Sequence, residues 1–525
     1  MAVGPAVRRV FLLMTLYAGL AAGAVWLYGN LPTGFIPDED QGKIFVNVQL
    51  PDAAALNRSQ KLTDALVKIC LETPGVLDVM AVPGYSILNS AQASNNSLLI
   101  VSLKPWAERR TPELRQPAVL AALNRKFTAV IEANVVAFGM PVIQGIGTTG
   151  GFAFVVEDTV GTYPERLQEA LNALCAKANG HPALARVFST FSANVPQVFV
   201  AIDREKAFKL GVALSDLNTT LQGLTGYTYV NDFNRYGKVF KVELQGQADF
   251  RDTVDKLRNL QVRNRTGDMV PLETLATISF RQSPQYLNRY NLYSAAVVNG
   301  QPASGASTGQ AMAAMEEIAR EVLPPGMKFE WTDMSYQERQ AAVGIRLENV
   351  EIGMMTVITV LALLFMYLFL VAQYESWMLP LAVLLAVPVA FFGAVLSLKA
   401  LKIDNNIYTQ VGLILLFGIA CKTAILIVEF AKHQHDRGGM SAPEAAAFAA
   451  RLRFRAVLMT AVSFLLGTFP LVVAAGAGAA SRRALGTVVF GGMLLSVLLG
   501  TILIPGFYVF VQKLTDWNKS GNKNT

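Results

Sequence analysis

Acidic residues are almost absent from the long apolar segments of this 525-residue sequence. The exception is the apolar segment 407–430, which has Glu429 at its edge and a lysine, Lys422, in its interior. Eight residues separate Lys422 from the nearer end of that segment, or about 12 Å of helix. A charge at such depth in a bilayer is costly and usually faces a bundle interior on an ion or proton path. A carboxylate partner at this depth is therefore expected on another polypeptide; a neutral or partly snorkelling lysine is the alternative.

Cysteine and histidine are also scarce, with 3 of each. The cysteines give no disulfide framework and are expected as free thiols: Cys70, Cys175 and Cys421. His433 and His435 lie beside Asp436 in a basic segment, which favours a solvated loop over a metal site. No phosphate-binding GxxxxGK[ST] run is present. The sequence therefore predicts no cofactor and no metal, and an ion gradient is the expected energy source.

Apolar composition is what the sequence has in abundance: 52% of its residues are hydrophobic and its mean hydropathy is +0.37. Six windows are long enough to cross a bilayer: Val10–Gly29, 352–372, 378–398, 407–430, 456–474 and 485–511. About 320 residues of mixed polarity separate the first two windows, enough for two or more folded domains. Val10–Gly29 ends without a small-residue cleavage pattern, so it is interpreted as an uncleaved anchor.

The orientation of these segments is predicted from their flanking lysines and arginines. With the N-terminus inside, the basic residues on the cytoplasmic side are Arg8, Arg9, Lys432, Arg437, Arg451, Arg453, Arg455, Lys513, Lys519 and Lys523. Those on the opposite side are Lys399, Lys402, Arg482 and Arg483. This bias predicts that both termini are cytoplasmic and that the large block lies outside. The net charge of +7 reflects this topology and does not indicate a nucleic-acid partner.

The block between the first two windows alternates strands and helices in a regular order. Strands are expected at 43–50, 76–82, 97–104 and 134–138, and helices at 54–71 and 112–131. This β-α-β-β-α-β order is that of a ferredoxin-like, or split βαβ, unit. The polar run 84–96 (GYSILNSAQASNN) is expected as a loop within it. A second such unit begins at Gly151 and is interrupted by an insertion of short strands and turns.

Eight strings of residues carry a resemblance to a known family. They are LPTGFIPDEDQG (31–42), YVNDFNRYGKVFKV (229–242), STGQAM (307–312), WTDMSYQE (331–338), YESW (374–377), NNIYTQVGL (405–413), KTAILIVEFAK (422–432) and RLRFRAVLMT (451–460). With these strings the chain resembles the resistance–nodulation–division (RND) transporters, in their hydrophobe/amphiphile multidrug exporter branch. Family members carry the whole arrangement twice, and the resemblance is to their second half.

The resemblance implies an α+β membrane protein with six transmembrane helices and a periplasmic block of ferredoxin-like porter units plus a docking insertion. The implied domains are a first transmembrane helix (1–30), porter unit 1 (31–146), porter unit 2 (147–195 and 290–345), a docking insertion (196–289), a five-helix transmembrane bundle (346–512) and a cytoplasmic tail (513–525). It also implies a trimer in the bacterial inner membrane that works with a periplasmic adaptor and an outer-membrane channel. Inward proton flow would drive the export of drugs and other amphiphiles, so the chain is expected to be a transporter component, not an enzyme.

A proton relay is implied for three residues. In the family, a lysine matched by Lys422 faces a pair of aspartates on a span of the first half, and an arginine and a threonine match Arg453 and Thr460. A lysine beside two carboxylates stays charged while they are ionised and changes its contacts when one is protonated. Thr423 and Asn406 depart from the family, which often has an amide and an acid at these positions.

A substrate pocket is implied within the porter units. Six positions match its wall: Met80, Val82, Tyr85, Ile100, Val136 and Phe138. An apolar wall with aromatic residues suits ligands held mainly by burial, although alternating apolar residues on strands are also typical of an ordinary core. The run 84–96 matches the flexible loop that divides the family's pocket, without its phenylalanines.

Three functional hypotheses follow. The first is a half-pump that needs a separate first-half polypeptide to supply the relay aspartates. The second is an inactive fragment of a split or truncated pump. The third is a protein-export accessory of the SecD/SecF type, which shares the order of one span, a periplasmic block and five spans. The strings at 229–242, 307–312 and 331–338 favour the drug-exporter branch.

Overall fold

A computed structural model describes residues 10–161, 163–303, 305–342, 345–347 and 350–521. Two compact units are present. One comprises the described residues up to Thr190 and from Asn288 onward, and the other comprises Phe191–Leu287. Arg8, Arg9 and Lys523, which enter the orientation argument, lie outside the described residues.

The first sheet of the larger unit has four strands in the order β2-β3-β1-β4, with antiparallel neighbours. Its elements are β1 (Lys43–Gln49), α2 (Leu56–Leu71), β2 (Val76–Ser86), β3 (Ala91–Leu103), α3 (Gln116–Phe127) and β4 (Asn134–Gly139), and they follow α1 (Val10–Gly29). One face of the sheet packs against α2 and α3, with Leu66, Leu123 and Phe127 in its core. The opposite face carries a second apolar cluster around Phe45, Leu98 and Phe138.

The expected loop at 84–96 is wrong for most of its length. Strands β2 and β3 continue as a hairpin, in which Tyr85 pairs with Gln92 and Ser86 pairs with Ala91, so the connection is short. Some of the polar side chains that suggested a loop are instead buried, and Ser86 and Asn95 are both buried and hydrogen-bonded. Asn95 Nδ2 donates to the carbonyl of Leu50 at 3.3 Å, for example. A buried polar side chain with a partner is compatible with a strand, and its residue type alone does not show that partner.

The second sheet of the larger unit has five strands. It contains β5 (Phe152–Asp158), β6 (Leu184–Ser189), β13 (Asn288–Tyr290), β14 (Tyr293–Pro302) and β15 (Met327–Thr332), flanked by α4 (Pro164–Asn179), α9 (Thr308–Val322) and α10 (Asp333–Ala342). The order is β13-β14-β5-β15, with β6 also paired to β14. Phe154 stacks on Phe329 at a centroid distance of 5.0 Å and meets Trp331 edge-on, which fixes β15 against β5.

The smaller unit consists of three two-stranded ribbons and four short helices among its described residues. The strands are β7 (Val195–Ile202), β8 (Thr228–Arg235), β9 (Lys238–Leu244), β10 (Gln261–Arg263), β11 (Met269–Pro271) and β12 (Ala276–Ser283). The helices are α5 (Arg204–Lys209), α6 (Leu214–Thr225), α7 (Val254–Arg258) and α8 (Leu272–Leu275). Leu217, Val262 and Leu275 centre its core. The hairpin β8–β9 is exposed along nearly its whole length within this chain.

Six helical segments of the described residues are long and apolar enough to cross a membrane. The first segment is α1. The other five follow the short strands β16 (Ile345–Leu347) and β17 (Val350–Ile352); they are α11 (Met354–Tyr374), α12 (Leu379–Leu384) together with α13 (Val387–Leu401), α14 (Ile407–Asp436), α15 (Ala442–Val472) and α16 (Ala479–Gly521). The third segment is interrupted between α12 and α13, where Pro388 begins the second part because proline cannot donate a helical hydrogen bond.

The segment that contains Arg453 and Thr460 begins well before the apolar window at 456. Helix α15 begins at Ala442, and Ser441 and Glu444 form a capping box at its N-terminus. Alanine-rich sequence then continues the helix to the window. The hydropathy window therefore marks only the part of this helix that is apolar enough to lie in lipid.

The string LPTGF connects α1 to the helices that follow the extramembrane block. Thr33 forms a parallel bridge with Asn405, and the N–H of Gly34 donates to the carbonyl of Asn405 at 3.0 Å. The N–H of Ile407 donates to the carbonyl of Phe35 at 3.0 Å. A Cβ on Gly34 would meet the carboxylate of Asp404, which would have to move aside. This pairing fixes the start of α14 beside the end of α1.

Candidate functional site

Lys422 lies on the face of α14 that no other described helix of this chain covers. Its neighbours Cys421, Thr423 and Ala424 are buried against the bundle, whereas Lys422 is exposed. Gly418, one turn earlier on the same face, is exposed too, and a Cβ there would meet no atom within 4 Å. Within the described residues, Lys422 has no hydrogen bond and no ion pair. The expectation of an interior lysine therefore does not hold within this chain alone, since its ammonium points away from the chain's own helices.

Arg453, on α15, packs against the end of α14. Its Cζ lies 4.9 Å from the ring centroid of Phe430, which stacks on Phe448 at 6.4 Å. The Nε of Arg453 is buried and has no hydrogen-bond acceptor among the described residues. A buried donor without an acceptor costs about 1–3 kcal/mol, and more when it belongs to a charged group. The Nε of Arg453 lacks an acceptor among the described residues. An oxygen atom from outside them could supply one.

Thr460 lies two turns further along the same face of α15. Its hydroxyl is exposed and donates to the carbonyls of Ala456 and Val457 at 3.1 and 3.0 Å. Helices α14 and α15 are consecutive and antiparallel, and Phe430 lies level with Phe448 and Arg453. At about 1.5 Å per residue, Lys422 lies about 12 Å along α14 from Phe430, and Thr460 lies about 10 Å along α15 from Arg453. Lys422 and Thr460 are therefore at a similar level. The fold thus brings Lys422 and Thr460 to one depth, with Arg453 about two turns nearer the α14–α15 connection.

The six residues expected in the pocket share one face of the β1–β4 sheet. Strand pairing aligns Met80 with Ile100, Phe45 with both Ile100 and Phe138, and Asn47 with Val136. Val82, Tyr85, Ile100, Val136 and Phe138 form one apolar cluster with Phe45, Leu98 and Phe188, on the face opposite α2 and α3. Alternation along the strands is what places them together.

Burial divides this set into two groups. Val136 and Phe138 are 5% and 2% exposed, and the crevice beside them has a volume of only about 10 Å³. These two side chains belong to a packed core in this conformation, because no organic molecule fits such a space. Met80 is 56% exposed, and Val82 and Tyr85 are half-buried. The open part of the face is therefore at β2.

A cavity that sequence reasoning missed lies where α1, α11, α13 and α14 meet the extramembrane part. Its volume is about 720 Å³, within the range of small-molecule sites. Val25, Phe391 and Phe417 supply apolar walls, and Glu316 and Glu338 reach its lining. The signals that could have found it are the strings LPTGF and WTDMSYQE, both of which contribute residues to the lining.

Glu338 is the titratable group of this cavity with the most perturbed environment. Burial raises the pKa of its carboxyl to about 7, and the nearby Asp404 and Asp38 add to the rise. The hydroxyl of Thr308 donates to its Oε1 at 2.8 Å, which opposes the rise. Near neutral pH this carboxyl therefore exists in both protonation states.

Glu338→Gln is expected to stabilise the protein above pH 7 and to leave its stability unchanged near pH 4.5. The pKa of Glu338 is about 7 in the folded protein and about 4.3 in the unfolded chain. Between these pH values the unfolded chain releases a proton that the folded protein keeps, so the free energy of unfolding falls as the pH rises. Glutamine imitates the protonated form at every pH. Thermal melting of both proteins between pH 4.5 and 8.5 measures the effect, expected as a difference in Tm of a few degrees that grows with pH.

The matched control is Glu317→Gln, which removes an exposed carboxyl from α9 outside the cavity lining. It is expected to follow the wild-type protein at every pH. A Glu338→Gln variant whose Tm differs from that of the wild type by the same amount at pH 4.5 and pH 8.5 contradicts the titration of Glu338.

Comparison with known proteins identifies the family of the chain. The sequence profile of the AcrB/AcrD/AcrF family matches residues 2–512. The chain belongs to this family. AcrB/AcrD/AcrF relatives include the multidrug/solvent efflux pump membrane transporter MepB of Pseudomonas putida, which is 38% identical over 514 residues, 98% of this chain and 48% of the relative. The multidrug export protein AcrF of Escherichia coli (strain K12) is 37% identical over 503 residues, 95% of this chain and 47% of the relative.

A further AcrB/AcrD/AcrF relative is the toluene efflux pump membrane transporter TtgB of Pseudomonas putida, 38% identical over 514 residues, with coverage of 98% of this chain and 48% of the relative. The chain thus spans about half the length of the relatives it matches. By name, MepB is a multidrug/solvent efflux transporter, TtgB is a toluene efflux transporter and AcrF is a multidrug export protein. Membership of the AcrB/AcrD/AcrF family and the apolar helices together indicate an inner-membrane protein.

The two positions at which the resemblance implies a departure, Asn406 and Thr423, are both buried. Asn406 is fully buried, and its side chain accepts from the N–H of Thr409 at 3.0 Å, so it caps α14. Asparagine and aspartate are similarly good N-caps, so the neutral residue keeps this function without a buried charge. Thr423 is 8% exposed and faces the bundle, away from the side of Lys422.

Proposed function

We propose that this chain is the second half of a proton-driven RND-type exporter of drugs and other amphiphiles, and that a separate first-half polypeptide supplies the relay carboxylates. The first half would pack on the uncovered face of α14 and α15. Lys422, Arg453 and Thr460 would then line the contact between the halves.

The observation that carries the proposal is the uncompensated charge on this face. Lys422 is exposed at about 12 Å from the end of the apolar segment, and Arg453 has a buried Nε without an acceptor among the described residues. Two cationic side chains on neighbouring helices favour a partner surface that carries carboxylates. The part of the chain that the structure describes has no Asp or Glu at the level of Lys422.

A lysine between two membrane carboxylates can convert a proton into a change of helix packing. While both carboxylates are ionised, the ammonium of Lys422 is held between them. Protonation of one removes part of that attraction, and the ammonium shifts its hydrogen bonds toward the other or toward the hydroxyl of Thr460. Because α14, which carries Lys422, packs against α15, a new position of Lys422 would move both helices.

The substrate surface of the proposal is the helix-free face of the β1–β4 sheet. Met80, Val82 and Tyr85 offer the accessible edge, and Ile100, Val136 and Phe138 form the wall behind it. Apolar and polarisable side chains bind ligands of varied shape mainly through burial. The assembly we propose is a trimer in the bacterial inner membrane, with the extramembrane units in the periplasm and with an adaptor and an outer-membrane channel as partners.

Dye efflux in a pump-deficient bacterial strain tests the proposal. The chain alone is expected to give no efflux, whereas the chain expressed with a first-half RND polypeptide that carries paired intramembrane aspartates is expected to lower the accumulation of an amphiphilic dye severalfold. The physical reason is that neither half alone contains both the cation and the carboxylates. Efflux by the chain alone contradicts the need for a first half.

Two glycines of α14 provide a matched pair of variants for the same experiment. Gly418 faces the uncovered side, so Gly418→Leu is expected to leave the chain's own melting temperature unchanged and to block efflux by the pair. Gly412 faces Val488, where a Cβ would lie 3.2 Å away, so Gly412→Leu is expected to destabilise the chain itself. Undiminished efflux with Gly418→Leu contradicts the assignment of this face to the first half.

The two other hypotheses are outcomes of the same measurement. An inactive fragment gives no efflux with any first half although the chain is inserted and folded. A protein-export accessory gives no dye efflux and instead changes the secretion of periplasmic proteins. Membership of the AcrB/AcrD/AcrF family favours the exporter over this last alternative.

A further inference from the structure

Glu39 caps the N-terminus of the last membrane helix from a distant part of the sequence. Its carboxylate accepts hydrogen bonds from the N–H of Ala480 at 3.2 Å and from the N–H of Ser481 at 2.8 Å, and the Ser481 hydroxyl donates to it as well. Ala480 and Ser481 lie in the first turn of α16, where backbone N–H groups have no partner within the helix. A carboxylate also suits the positive end of the helix dipole.

The next residue, Asp40, is fixed to the β1–β4 sheet. Its carboxylate accepts from Arg109 Nη1 at 2.7 Å and from Nη2 at 3.1 Å, and Arg109 is 4% exposed. Burial alone would raise the pKa of Asp40, but the hydrogen bond and charge of Arg109 outweigh it and hold the pKa below its usual value. Arg109 Nε donates to the carbonyl of Lys104, directly after β3. Asp40 is therefore ionised at neutral pH and held by two hydrogen bonds from Arg109.

The first turn of α16 is also fixed to the end of α15. Arg483 Nε donates to the carbonyl of Ala474 at 2.6 Å, and Arg482 Nη2 donates to the carbonyls of Ala475 and Ala477 at 3.1 and 2.6 Å. These bonds satisfy carbonyl groups of the short segment that follows α15. The helix that carries Arg453 and Thr460 thus ends in a segment held by the start of α16.

We propose that Glu39 and Asp40 form a rigid link between the membrane helices and the sheet that carries the substrate surface. The Cα atoms of Glu39 and Asp40 are about 3.8 Å apart because the residues are consecutive. While both carboxylates keep their hydrogen bonds, the start of α16 and the β1–β4 sheet can therefore move apart by only a small distance. Movement at the C-terminal end of α15 is therefore transmitted to the first turn of α16 and to Glu39. From Glu39 it reaches Asp40, Arg109 and β3. Glu39 is a positioning residue for transport, and this role rests on the proposed function.

Amide hydrogen exchange in the full-length chain tests the contact itself. Glu39→Ala and Glu39→Gln remove the capping carboxylate, so the segment 479–485 is expected to exchange about fivefold faster, the effect of losing a typical N-cap. Glu132→Gln is the control, since Glu132 is exposed and has no hydrogen bond among the described residues. Unchanged exchange in both Glu39 variants overturns the proposal.

Dye efflux by the paired polypeptides tests the transmission. Both Glu39 variants are expected to lower the maximal efflux rate severalfold and to leave the half-saturating dye concentration unchanged, because Glu39 does not touch the substrate surface. A Glu39→Cys, Ser481→Cys protein, with the native cysteines replaced, is expected to recover efflux when a short bifunctional reagent joins the two positions. Recovery on cross-linking separates a link from a residue that only helps folding.

Three results of the efflux experiment also overturn the proposal. Full efflux in the Glu39 variants means that the contact is not needed for transport. Loss of efflux on cross-linking means that the contact has to open during the cycle and is not a rigid link. Absence of efflux from the wild-type pair contradicts the proposed function, and with it this role of Glu39. This result differs from the other two because in both of those the wild-type pair is active.

Discussion

Replacing Lys422 with alanine is expected to reduce dye efflux by the paired polypeptides to the background of the pump-deficient strain. The ammonium is the only cation at that level of α14. In the proposed pair it would lie against carboxylates of the first half, and removing one member of such a buried ion pair costs about 3–5 kcal/mol because the other charge is left uncompensated. Lys422→Arg is expected to keep assembly and to lose most of the transport, since a guanidinium holds its hydrogen bonds in a different, planar geometry. Whole-cell dye accumulation at matched expression measures both variants.

The matched control is Lys432→Ala, which removes a lysine ten residues later on the same helix. Lys432 donates to the carbonyl of Tyr374 at 3.2 Å and lies near the end of α14, so its loss is expected to leave efflux largely intact. The melting temperature of the isolated chain is expected to stay unchanged in Lys422→Ala, because this side chain contacts no polar partner within the described residues. Efflux by Lys422→Ala equal to that of Lys432→Ala removes Lys422 from the relay.

Gly393→Ala is expected to destabilise the membrane helices strongly for a change of one methyl group. A Cβ on Gly393 would lie 2.6 Å from the carbonyl oxygen of Gly491 and 3.2 Å from the Cα of Gly492, so α13 and α16 pack backbone to backbone at this point. Close packing of small residues is a principal source of helix association in membranes. Because the obstacle is backbone, the helices have to separate, at a cost of about 1–3 kcal/mol or more.

Thermal melting of the purified chain in detergent measures this loss, and the amount of folded protein recovered from membranes provides a second measure. Gly19→Ala is the control, since a Cβ on Gly19 of α1 would meet no atom within 4 Å and alanine is the better helix former. A melting temperature of Gly393→Ala at or above that of Gly19→Ala would show that α13 and α16 are not in close backbone contact.

The membrane part of the fold is more predictable from sequence than its ends and breaks. Hydropathy finds each apolar segment because a bilayer requires about twenty apolar residues in a row. It does not detect the interruption before Pro388, since the residues on both sides are equally apolar. It also misses the first fourteen residues of α15, which are helical because of the Ser441–Glu444 capping box and alanine, not because of their hydropathy.

The extramembrane part is predictable where side chains alternate and is mispredicted where polar residues are buried. The strands of the β1–β4 sheet follow from the alternation of apolar residues, which also places the six pocket residues on one face. The continuation of β2 and β3 through 84–96 does not follow, because the partners of Asn95 and Ser94 lie on the segment 50–54, about forty residues away. Composition records the polar side chain but not its partner.

The candidate site is predictable in its charges and not in its connections. Lys422 stands out as a charge inside an apolar run, whereas Arg453 and Thr460 are indicated only by the resemblance to the family; the role of all three stays a prediction. Nothing local indicates that Glu39 reaches the first turn of α16, since its partners are 441 and 442 residues further along the chain. Contacts of this kind are determined by the tertiary fold, so sequence periodicity carries no record of them.

The uncovered face of α14 has a consequence for the cellular abundance of the chain. A solitary copy exposes the ammonium of Lys422 to acyl chains at a cost of several kcal/mol, and association with a carboxylate-bearing partner removes that cost. For the pair that we propose, unpaired copies would be the less stable population and the better substrates for membrane proteases. Selective survival of paired chains would then bring the amounts of the two polypeptides toward each other.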